Sequence, residues 1–88
     1  MSEMVTFQLT VEQFRALLDV LLAPEAPDDL ANLVLMACTR PHEGIISVPL
    51  TLQSAEEVCR LVAARSRISP EAAPLAALLQ EQAHPSTI

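Results

Sequence analysis

The chain has 88 residues, 51% of them hydrophobic, with 11 acidic against 5 basic side chains and a formal charge of −6. That apolar share excludes an intrinsically disordered protein. The charge sets nucleic-acid binding at a deficit, since clustered cations that neutralise phosphate supply most of that affinity. No apolar run reaches the roughly 20 residues that span a bilayer, and the start lacks the basic and apolar blocks of a secretory signal, so a cytoplasmic protein is expected.

A chain of this length forms one domain and buries roughly two thirds of the surface its unfolded form exposes. Only Phe7 and Phe14 are aromatic, so Leu, Val and Ala must build the core. Cys38 and Cys59 each lie in an apolar run, where a thiol behaves as a small buried hydrophobe, and two cysteines are too few for a disulfide framework.

Met4 to Leu9 alternates, with Val5, Phe7 and Leu9 on one side and Thr6 and Gln8 on the other, the period of a half-buried strand. Thr10 then stands where a helix N-cap belongs, with Gln13 three residues on, the spacing of a capping box. Val11, Phe14, Leu17, Leu18, Leu21 and Leu22 follow helical spacing, leaving Glu12, Arg15 and Asp19 outward. Proline at 24 and 27 ends this helix.

Asp28 to Arg40 admits two readings. As a helix it would be capped by Asp28 or Asp29 and would place Leu30, Leu33, Val34, Ala37 and Cys38 on one stripe. As a strand, Leu33 to Thr39 would be a short buried run. The turn chemistry of Arg40-Pro41-His42-Glu43-Gly44, which holds the only glycine of the chain, and the β-branched residues after it favour a β-hairpin from about Leu33 to Leu52. Pro49 cannot donate to a ladder, which makes the second arm an edge strand or a bulged one.

Ser54, with Glu57 three residues on, repeats the capping-box spacing and starts a second helix through about Arg65, with Ala55, Val58, Leu61 and Val62 inward. Arg60, Arg65 and Arg67 gather toward its C-terminal end, where cations complement the dipole. Ser69-Pro70-Glu71 opens a third helix with Leu75, Leu78 and Leu79 as core contacts, disturbed at Pro74. The expected fold is therefore α+β in the order β-α-β-β-α-α, with a three-stranded antiparallel-type sheet and helices on one face. The alternative is a mostly α domain with residues 28–40 helical. Residues 1–84 form the domain and 85–88 a frayed tail. The strand-into-helix motif recurs 44 residues on, from Thr10 to Ser54.

Catalytic equipment is missing from this pattern. A closed zinc site takes four ligands, usually in tight pairs, and Cys38, His42, Cys59 and His84 contain no close cysteine pair. No glycine-rich elbow or phosphate cradle surrounds Ser47, Ser54, Ser66 or Ser69. The carboxylate pairs Asp28/Asp29 and Glu56/Glu57 fall at helix starts, where acids offset the dipole. No enzymatic activity, metal or cofactor is expected.

Surfaces remain. The expectation is a non-enzymatic acidic module that binds a larger protein or ribonucleoprotein complex, with Glu25, Asp28, Asp29 and Glu43 presented to a basic, nucleic-acid-binding surface and no direct contact with nucleic acid or membrane. Its sharper form is an inhibitor of the phage-encoded, anti-defence type. The rival is a homodimeric structural or accessory subunit joined through a free sheet edge or through the Ala-rich face of Ala72, Ala73, Ala76 and Ala77.

Overall fold

A computed structural model describes residues 3–24 and 26–83, apart from the side chain of Asp28. Strand β1 (Met4–Thr10) leads directly into helix α1 (Val11–Leu21), followed by α2 (Asp28–Ala37), β2 (Ile45–Thr51), α3 (Leu52–Ile68), a 3₁₀ turn at Pro70–Ala72 and α4 (Ala73–Ala83). The described residues form a small α+β domain of four α-helices on a two-stranded antiparallel ribbon.

Thr10 forms the capping box that its spacing implies. The Gln13 N–H donates to Thr10 Oγ1 at 3.1 Å, and the Thr10 N–H donates to Gln13 Oε1 at 2.9 Å, so two donors that α1 cannot satisfy internally are paired. The second cap sits three residues earlier than expected. Thr51, not Ser54, starts α3: the Ser54 N–H donates to Thr51 Oγ1 at 3.2 Å, and the Thr51 hydroxyl donates to Ser54 Oγ at 3.0 Å. Leu52 and Gln53 are thereby taken into the helix, which runs on to Ile68. At the next junction the Ser69 side chain makes no capping bond, and Pro70 and Pro74 fall in first turns, where a missing N–H costs nothing.

The expected third strand is absent. Residues 28–37 form helix α2, because Leu, Met and Ala dominate the segment and Leu30, Ala31 and Val34 repeat at helical spacing toward the core. The turn before β2 is real but local. The His42 N–H donates to the Ile45 carbonyl at 2.8 Å and the Ile45 N–H returns to the His42 carbonyl at 3.0 Å, an isolated bridge with no long first arm behind it. Glu43 (φ 55°) and Gly44 (φ 81°) occupy its two central positions, both with the positive φ of a type I′ turn.

The partner of β2 is β1, in a register that sets Met4 against Thr51, Phe7 against Val48 and Thr10 against Ile45. One face of the ribbon carries Phe7, Leu9, Ile46, Val48 and Leu50, all buried under the helices. The other face carries Met4, Thr6, Gln8, Thr10, Ile45, Ser47, Pro49 and Thr51, and no helix among the described residues covers it. Leu17, Leu21, Val34, Val58, Val62 and Leu79 complete the core from the four helices.

The repeat is tighter than local reading suggests. Thr51 stands 41 residues after Thr10, and a shift of 41 lays Phe7 on Val48, Leu9 on Leu50, Phe14 on Ala55, Leu17 on Val58 and Leu21 on Val62, all buried. Phe7 and Val48 also face each other across the ribbon, so the two β-α-α halves meet at equivalent positions of the repeat.

Candidate interaction surface

The side chains with chemical potential stay apart. Cys59 is buried in α3, where burial first and the neighbouring Glu56 carboxylate second push its thiol pKa up. Cys38 closes α2 and donates from Sγ to the Leu35 carbonyl at 3.1 Å, while His42 is exposed in the turn before β2. His84 lies outside the described residues. Among the described residues no three metal-ligating side chains gather.

A shallow cleft of ≈ 160 Å³ opens between α1, α3 and the start of α4, lined by Ala16, Asp19, Arg65, Ser69, Glu71 and Leu75. It holds neither a thiol nor an imidazole and is smaller than the few hundred Å³ of ordinary small-molecule sites. Ser66 donates to the Ala63 carbonyl, its own preceding turn. Arg60 reaches Glu57 at 3.6 Å with both side chains in solvent, a contact of little energetic weight. Arg65 and Arg67 stand in the last turn of α3, where cations offset the dipole.

Of the four acids expected at a partner surface, Glu25 and the Asp28 side chain lie outside the described residues. Asp29 and Glu43 are both exposed, at two separate places. Glu43 stands beside the ribbon end formed by Thr10 and Ile45, where α1 starts, whereas Asp29 follows the connection from the far end of α1. The 11 residues of α1 span about 16 Å between those ends.

Both ribbon edges are partly occupied by this chain. On the β1 edge, the Gln8 N–H donates to Gln82 Oε1 at 2.7 Å and Gln82 Nε2 donates to the Gln8 carbonyl at 3.1 Å, so one side-chain amide stands in for a third strand. On the β2 edge, the Thr39 N–H donates to the Ser47 carbonyl at 2.9 Å and the Ser47 N–H donates to Thr39 Oγ1 at 3.2 Å. Gln8 and Ser47 are cross-strand partners, so both clamps grip the same rung from opposite sides. Pro49, two residues on from Ser47, turns its missing donor to the same outer edge. The Gln82 clamp joins residues 74 apart and carries no local sequence signal.

Exposed apolar side chains concentrate on α2, where Met36 is 87% exposed and Leu33 and Leu35 nearly half, with Leu22 and Ile68 at the ends of α1 and α3. The Ala-rich face of the third predicted helix is divided: Ala76 packs against the core, while Ala73 and Ala77 face outward. No helix among the described residues is long and apolar enough to cross a membrane. Comparison of the chain with protein-family models, curated proteins and solved structures gives no match.

Proposed function

We propose that this chain is a non-enzymatic binding module whose negative potential directs it to a basic surface on a larger protein or ribonucleoprotein complex. The observation that supports this reading is the placement of its charge. No charged or polar residue among those described is buried, so the acidic excess is displayed to solvent rather than consumed in the core. Such a potential speeds and orients encounters with a cationic partner. In its sharper form the module is an inhibitor of the phage-encoded type that occupies the nucleic-acid-binding surface of a host defence complex.

The test is affinity capture from host extract over a salt series, with Asp29→Asn/Glu43→Gln beside the native chain. A nucleic-acid-binding partner should be retained at low salt, displaced by added duplex, and lost as salt rises, because exposed charges are screened over about 8 Å at physiological ionic strength. A retained partner indifferent to salt and to the charge variant overturns the reading.

A second reading rests on the bare face of the ribbon. A two-stranded antiparallel ribbon fits the DNA major groove, and Thr6, Gln8, Ser47 and Thr51 are groups that can hydrogen-bond base edges. Against it, that face carries no cation to contact phosphate. Duplex binding at low salt, abolished by Gln8→Ala together with Thr6→Ala, would favour groove reading over charge-directed protein binding.

A further inference from the structure

We draw no further inference here: the strongest candidate, the exposed apolar face of α2 formed by Leu33, Leu35 and Met36, carries none because nothing in the structure shows what covers it.

Discussion

The amide of Gln82 holds the backbone of Gln8 at both its N–H and its carbonyl, at 2.7 and 3.1 Å, tying the last helix to the first strand. An extended segment seeking to add to β1 meets a group already bonded at the centre of its edge, and Thr39 does the same for β2 at Ser47. The ribbon thus escapes the usual liability of free edges without a third strand.

Gln82→Ala removes two hydrogen bonds and exposes the Gln8 backbone to water, so the cost should be about 1–2 kcal/mol in denaturant unfolding. Gln82→Glu keeps the acceptor for the Gln8 N–H but sets a carboxylate against the Gln8 carbonyl, so it should be no more stable than the Ala variant. Exchange of the Gln8 amide should quicken in Gln82→Ala, which alone removes its acceptor. Unchanged exchange at Gln8 would show that the clamp does not hold the edge.

The two threonine caps can be weighed against the serine that local spacing favours. Thr10→Ala and Thr51→Ala should each cost about 1 kcal/mol, because each leaves an N3 amide without its acceptor. Ser54→Ala removes only a hydroxyl that accepts from Thr51 at the helix surface, so its effect should be well under half of that. Urea midpoints for the three variants decide the order.

Where interactions are local, the residues announce them; where they are distant, they do not. Strand β1, the Thr10 cap and α1 are legible because alternation, capping and helical spacing are all written within 18 residues. The turn at 42–45 is legible for the same reason, yet its chemistry suggests a hairpin arm upstream, while the true partner of β2 is β1, far away in sequence. Helix α2 was open to misreading because Leu33 to Cys38 is apolar on both its buried and its exposed sides, which erases the period that separates helix from strand. That same excess is what makes its outer face a candidate surface. The acids Asp29 and Glu43 could be named from sequence, but their placement, one in the first turn of α2 and one in the turn before β2, could not.

Glu43 holds a left-handed conformation, φ 55°, that a side chain with a β-carbon enters only at a cost. Glu43→Asn, or Glu43→Gly, should therefore raise stability by about 0.5–1 kcal/mol, as both residues suit the first central position of a type I′ turn. Gly44→Ala should lower it by about 1 kcal/mol through the backbone alone, since nothing lies within 4 Å of the added carbon. If Glu43→Asn stabilises the fold and also weakens partner capture, the two effects belong to different properties of one residue, its backbone angle and its charge.

Cys59 gives the fold an alkaline limit. Its thiol is pushed up by burial and then by Glu56, so the folded chain keeps a proton that the unfolded chain releases above about pH 8.5. Since stability falls with pH wherever the native state binds the additional proton, the contribution is whole below that value and declines above it, by at most about 1.4 kcal/mol per pH unit. Unfolding measured from pH 7 to 10 should show the decline in the native chain. Cys59→Ala should start less stable, from the cavity it leaves beside Val58 and Val62, yet should lose this part of the slope. Cys38, half-exposed at the end of α2, should react with a thiol reagent at pH 8 well before Cys59 does. Equal reactivity of the two thiols, or a slope that survives Cys59→Ala, would mean that the interior around α3 admits water and charge more freely than its packing implies.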